Sequence, residues 1–251
     1  MPKTTLGAVA AEIPKGYTHV YKHSSGNRDW MIMGKYIPPT ATRSPGTWEA
    51  LAEPQMIDAG GLYASKDYTD ATGRRITTGF GHCPGSDGGL VLPREITYHP
   101  ELDQLVFTPL PELAALRSTI LANLTNTHLT PNAPTAITTS NRTDVLVAFE
   151  IPESSAGAVT FGVSVSAALS FYVNYTAKTN ASAPFHEVEI GMGGEHGNMH
   201  AAPGPTLRLS PHDTEVNLRV FIDGEFVECK FSSQAALQFL VISGPIMRDH
   251  L

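Results

Sequence analysis

From His19 onward the chain is broken into short runs of alternating apolar and polar residues, each closed by glycine, proline, asparagine or aspartate. Such a pattern commits it to strands, because a period of two puts one face against a core and the other toward solvent, which a helix of period 3.6 cannot do. The first part carries runs at His19–Lys22, Trp30–Tyr36, Leu62–Lys66, Arg75–Phe80, Arg94–Tyr98 and Gln104–Thr108. Pro111 then opens a short helical turn through Glu112–Arg117, since proline at the first helical position gives up only an N–H that would be unpaired anyway. A Ser/Thr/Asn/Pro-rich stretch from about Thr125 to Asn141 follows, and the alternation resumes at Val145–Ile151, Val159–Val165, Leu169–Tyr175, His186–Ile190, Thr206–Leu209, Val216–Ile222, Phe226–Phe231 and Leu237–Ile242. This predicts two parts, 1–117 and 118–251, the second with enough strands for a two-sheet sandwich. Asp223-Gly224 between apolar runs is the strongest local hairpin signal. Only 16% of residues are charged, while 22 glycines and 19 prolines supply the turns.

A formal net charge of −7, with no block of lysine or arginine, argues against nucleic acid and against an anionic membrane as partners. No apolar stretch reaches the length of a membrane span, and the apolar run at the N-terminus is too short and weak for a secretory signal. Asn123, Asn141, Asn174 and Asn180 head triplets of glycosylation form, read as coincidence in a Ser/Thr-rich region. Cys83 and Cys229 fit two separate thiols better than a bridge. Glu195, His196 and His200 have a ligand-like spacing only on a helix, which the neighbouring glycines disfavour, so no metal site is expected. No phosphate-binding loop, dinucleotide fingerprint or nucleophile elbow is present, and no cofactor is expected.

The most specific stretch runs from Asp58 to His82. Two extended runs, Leu62–Lys66 and Arg75–Phe80, flank the turn Asp70-Ala-Thr-Gly73. Together with Tyr63-Ala-Ser-Lys66, Pro93-Arg94-Glu95, the run Gln104 to Arg117 and Leu218-Arg219-Val220…Asp223…Val227-Glu228, it resembles the β-fructosidases, invertase-type enzymes of glycoside hydrolase family 32. Thr18–Ser24 and Trp30–Tyr36 are similar to the strands preceding this hairpin in that family. The resemblance implies an all-β fold: a remnant of a β-propeller blade region followed by a C-terminal β-sandwich.

Retaining enzymes of this kind need two carboxylates facing one sugar, about 5 Å apart. The family motifs that hold the nucleophile, Trp-Met-Asn-Asp-Pro-Asn, and the stabilising aspartate, Arg-Asp-Pro, are missing. Arg28-Asp29-Trp30 holds fragments of both, but overlapped and in reverse order, and reads as a strand entry. Glu12-Ile13-Pro14 resembles the acid/base motif Glu-Cys-Pro, making Glu12 the one remnant candidate beside its plain reading as an exposed terminal glutamate. Asp58 matches the aspartate of Asp-Tyr-Gly and Phe80 the second tryptophan of Trp-Gly-Trp, so these two are the expected sugar contacts, with a turn-stabilising carboxylate as the alternative for Asp58. Ala59 and Gly61 replace polar family positions. The expectation is a β-fructofuranosidase-like protein without hydrolytic activity of its own, with a carbohydrate ligand or an assembly role. The alternatives are a glycoside hydrolase completed by another chain and a lectin-like binding module. About six strands make one and a half blades, too few to close a ring, which predicts a homo-oligomer covering the open sheet edge.

Overall fold

The structure, a computed structural model, describes residues 16–26, 28–42, 44–81, 88–137, 140–152, 157–166, 169–176, 185–193, 206–224, 226–232 and 237–243. The expected all-β fold is what it shows: among the described residues, seventeen strands in four antiparallel sheets. The first sheet joins β1 (His19–Ser25), β2 (Arg28–Ile37), β3 (Thr47–Ala50) and β4 (Gln55–Met56), with β2 pairing to the other three. The second runs β5 (Leu62–Thr69), β6 (Arg75–Gly81), β8 (Arg94–His99), β9 (Gln104–Pro109), with β7 (Gly89–Leu90) beside β6. Residues 19–109 thus carry nine strands in two blade-like sheets, not the six strands and one and a half blades expected from sequence. The three extra strands are two to four residues long and are held by pairing to β2 and β6; β4 and β7 have no room for an alternation of their own, and β3 carries a single large apolar residue, Trp48.

Pro111 opens a 3-10 helix, Pro111–Leu116, with the proline in its first turn as predicted. Among the described residues the next strand is β10 (Arg142–Glu150), the first of eight: β11 (Val159–Ser166), β12 (Leu169–Tyr175), β13 (His186–Gly193), β14 (Thr206–Leu209), β15 (Glu215–Asp223), β16 (Phe226–Ser232) and β17 (Leu237–Ser243). All eight strands read from the sequence are present, with ends shifted by a few residues at most. They do not pair in order of sequence. β10 pairs with β15, and β16 and β17 complete the third sheet, while β11 to β14 form the fourth as an insertion between β10 and β15. The Asp223-Gly224 hairpin forms, Asp223 pairing with Phe226 and Gly224 taking a φ of +61° that a β-carbon would strain.

Two apolar clusters hold the fold. One spans the third and fourth sheets: Val216, Leu218 and Val220 of β15, Val227 and Phe231 of β16, and Leu169, Phe171 and Val173 of β12 are fully buried, each stabilising by about 1.5–3 kcal/mol. Ala59 and Leu102, from the first part of the chain, enter this same cluster. The other joins the first two sheets through Met31 and Met33 of β2 against Leu62, Ile96 and Phe107. Gln55 reinforces that contact: its amide donates to the Leu105 carbonyl at 2.7 Å and accepts from the Leu105 N–H at 2.8 Å, acting as a one-residue strand partner. Cys229 is a free, buried thiol, and burial pushes its pKa up; Cys83 lies outside the described residues.

Candidate functional site

The hairpin singled out by sequence is β5–β6, and its geometry is set by an irregularity and a turn. The pairing register shifts between Tyr63 and Lys66, and Ala64 takes a φ of +53°, a bulge that turns the backbone N–H and hydroxyl of Ser65 inward. Both donate to the carboxylate of Asp29, which also accepts from the Ser24 hydroxyl at 2.6 Å. Burial pushes the Asp29 pKa up, but these donors and nearby Lys22 outweigh it and hold the carboxylate below its ordinary range. Arg28, one residue earlier, donates to the carbonyls of Ala59 and Gly60 at 2.8 and 3.0 Å. Arg28-Asp29 is therefore the clasp between the first two sheets, consistent with a strand entry rather than a catalytic fragment. At the turn, Asp70 accepts from the N–H groups of Thr72 and Arg74, and Arg74 bridges Asp70 and Glu112 at 2.8 and 2.6 Å. The bond from Arg74 is the main reason the Asp70 carboxyl sits low, at about 2.

Behind the hairpin lies the least expected feature. Asp58, Arg94 and Glu228 form a buried line of charge: Arg94 donates to Asp58 at 2.7 Å and to Glu228 at 3.1 Å. The second oxygen of Asp58 accepts the Gly60 N–H at 2.7 Å, and that of Glu228 accepts the Leu92 N–H at 2.7 Å. One guanidinium between two carboxylates leaves an excess negative charge, and burial raises the Glu228 pKa even against the pull of Arg94. The three residues come from the loop before β5, from β8 and from β16, so they tie the second sheet to the third.

Asp58 is 1% exposed, with both oxygens engaged by Gly60 and Arg94. Its carboxylate holds the loop before β5 through Gly60 and ties that loop to β8 through Arg94. Phe80 is 38% exposed on β6, paired with Tyr63 on one side and Leu90 on the other. Asp58 is sealed in the interior, whereas Phe80 lies on the surface. Glu12 lies outside the described residues, as do Glu195, His196, His200 and Asn180. Among the described residues no group of three or more potential ligands could hold a metal ion, and no helix is long and apolar enough to cross a membrane. Sequence reasoning gave no role to Arg94, Glu228 or Asp144. The signal was there, since Arg94 and Glu228 stand inside two of the quoted motifs, but 134 residues separate them and only the fold brings them together.

No family model and no curated protein matches the chain. Solved structures do. Fructan 1-exohydrolase IIa from Cichorium intybus, solved with 1-kestose, aligns with a TM-score of 0.69 at 19% identity over 96% of this chain and 54% of its own. A second structure of that enzyme gives 0.65 at 18% identity over 90% of this chain and 50% of its own. A glycoside hydrolase family 32 protein from Bifidobacterium adolescentis gives 0.51 at 15% identity over 86% of this chain and 32% of its own. At such identities the likeness is one of fold: this chain, spanning about half the length of the Cichorium enzyme, has the architecture of part of a glycoside hydrolase family 32 protein.

Proposed function

We propose that the chain is a β-fructosidase-like protein without hydrolytic activity of its own, made of a partial propeller over 1–117 and a β-sandwich over 118–251, and serving in carbohydrate binding or assembly. The observation that carries this is the use made of the buried carboxylates. Asp29, Asp58 and Glu228 are each held by serine, arginine or backbone donors, so none is left to attack an anomeric carbon. Glu12 alone would not suffice, because double displacement needs a nucleophile opposite the acid. Phe80 supplies an aromatic face for the C–H side of a sugar ring, and Asp58 supports it from behind by fixing the loop that leads into β5. The Cichorium enzyme was solved with 1-kestose, which makes a fructan the first ligand to try.

The test is direct. Purified chain incubated with sucrose or 1-kestose should release no fructose, while calorimetry should detect 1-kestose binding that weakens in Phe80→Ala. Fructose release by the lone chain would overturn the loss of activity, and unchanged binding in Phe80→Ala would remove that residue from the site. A second reading, completion by a companion chain, draws on the half-length match; it requires hydrolysis to appear only when that partner is added.

A further inference from the structure

The third sheet buries one face in the large apolar cluster, through Leu218, Val220, Val227 and Phe231, and its other face carries Arg219, Phe221, Glu228 and Lys230. On that second face Arg219 of β15 and Lys230 of β16 stand directly opposite each other in the register, a like-charge pair that opposes the pairing of their strands. Asp144, on the same face of β10, is shared between two cations: Arg219 donates to both of its oxygens at 2.8 and 2.7 Å, and Arg117 donates to one of them at 2.7 Å. Glu228, two residues before Lys230 on this face, is taken by Arg94 and by the Leu92 N–H. Among the described residues Lys230 has no hydrogen bond or ion pair of its own. Arg117, Arg219 and Lys230 thus stand around the single carboxylate of Asp144, a local excess of positive charge in a chain whose formal net charge is −7.

We propose that Arg219 and Lys230, with Arg117 beside them, form a binding site for a phosphate-type oxyanion, free or carried on a sugar. The arginine is set in advance: its two bonds to Asp144 fix the guanidinium plane, which lies 4.3 Å over the ring of Phe221, so binding demands little further ordering. The bonds to Asp144 engage Nε and Nη2 of Arg219 and Nε of Arg117, which leaves further guanidinium N–H groups to donate, and the Lys230 ammonium adds its own. Burial and the charge of Arg219 push the Lys230 amine down to about 8, the behaviour of a cation held beside another cation, and an anion between the two reverses it. The β10 side of this face is open: Leu146, opposite Arg219 in the register, is 64% exposed, and the Arg117 side chain is half-exposed. A tetrahedral dianion suits the site because it balances the excess charge and accepts from several donors at once. This site lies on the third sheet, away from Phe80 on β6, and the inference stands whether or not the sugar reading does.

Calorimetric titration of the full chain with inorganic phosphate at constant ionic strength tests it, beside the variant Lys230→Met. Wild type should bind, and Lys230→Met should bind about tenfold more weakly or worse. In chloride the variant should unfold at higher urea than wild type, because the like-charge pair is gone, yet it should gain less when phosphate replaces chloride. A nuclear magnetic resonance titration of the Lys230 side chain should show its pKa rising when phosphate is added. Absence of binding to wild type, equal affinity in Lys230→Met, or a Lys230 pKa unmoved by phosphate would each overturn the proposal. Circular dichroism monitors folding, and Lys230→Gln replaces a methionine variant that fails to fold. Fructose 6-phosphate titrated alongside separates the two sources: tighter binding than inorganic phosphate assigns the anion to a sugar phosphate, equal or weaker binding to the free ion, and both support the site. Inorganic phosphate carries no sugar, so failure of the sugar reading and failure of this one are distinguishable.

Discussion

Replacing Arg94 with methionine should be among the most damaging single changes available in this protein. Methionine fills much of the space of the arginine stem, so the perturbation is mainly electrical: Asp58 and Glu228 remain buried without the guanidinium that bridges them at 2.7 and 3.1 Å. Removing one partner from a buried ion pair costs about 3–5 kcal/mol, because the remaining charge stays desolvated and unpaired. Here two carboxylates are stranded, which places the loss at the upper end, close to half of a typical domain stability of about 5–15 kcal/mol. The assay is urea unfolding followed by far-ultraviolet circular dichroism and intrinsic fluorescence, with the midpoint converted through the measured slope. Adding Asp58→Asn and Glu228→Gln to Arg94→Met should recover at least half of the loss, because neutral side chains can be buried without a counter-charge. A single variant within about 1 kcal/mol of wild type, or a triple variant no better than the single, would refute the claim that this network holds the second and third sheets together.

Ala64 occupies left-handed backbone at φ +53°, so Ala64→Gly should stabilise by about 1 kcal/mol, measured as a rise in the urea midpoint. Asp144 accepts from Arg219 through both oxygens, at 2.8 and 2.7 Å, and from Arg117 at 2.7 Å; Asp144→Ala should cost about 2–3 kcal/mol and free Arg117 and the helix before it, seen as faster amide exchange over 111–117. Burial raises the Glu228 pKa above its unfolded value, so the native state binds this proton more tightly and the contribution of Glu228 to stability falls as pH rises above about 4.5. Glu228→Gln lacks that decline and should gain on wild type as pH rises above about 4.5 in parallel denaturation curves; a wild type that gains on the variant would reverse the sign. Asp29, whose pKa is depressed, acts in the opposite direction: its contribution is present above its unfolded pKa and lost as pH falls, so Asp29→Asn should lessen acid sensitivity below about pH 4.

All eight strands of the second part appear from sequence, whereas β4 and β7, at two residues each, leave no room for alternation, and β3, as long as β14, has Trp48 as its one large apolar residue. The pairing order was not legible. β10 and β15 have adjacent partners only because four strands between them form a sheet of their own, and nothing in the pattern of Arg142–Glu150 marks that separation. Asp58 illustrates the limit for side chains. Its identity and the following glycines suit both a sugar contact and a turn, and nothing local announces the ion pair with Arg94, 36 residues away. Phe80 is different, because its neighbours in the register, Tyr63 and Leu90, are what define its exposure, and Leu90 lies in a strand too short to be read in advance.

Several residues of the motifs that resemble the β-fructosidases enter ion pairs once folded. Arg94 meets Glu228, Arg74 meets Glu112, and Arg117 and Arg219 meet on Asp144. Most of these contacts cross between elements that are not neighbours in sequence, and the buried ones cannot be lost singly without stranding a charge. These pairs are kept by what they do for the fold, because they determine whether the sheets stay together. The motifs therefore persist as a record of architecture, and the same logic explains why the positions that differ, Ala59, Gly61 and Phe80, make no ion pair. Ala59 packs into the large apolar cluster and Phe80 faces outward, so each could change without breaking a charge network.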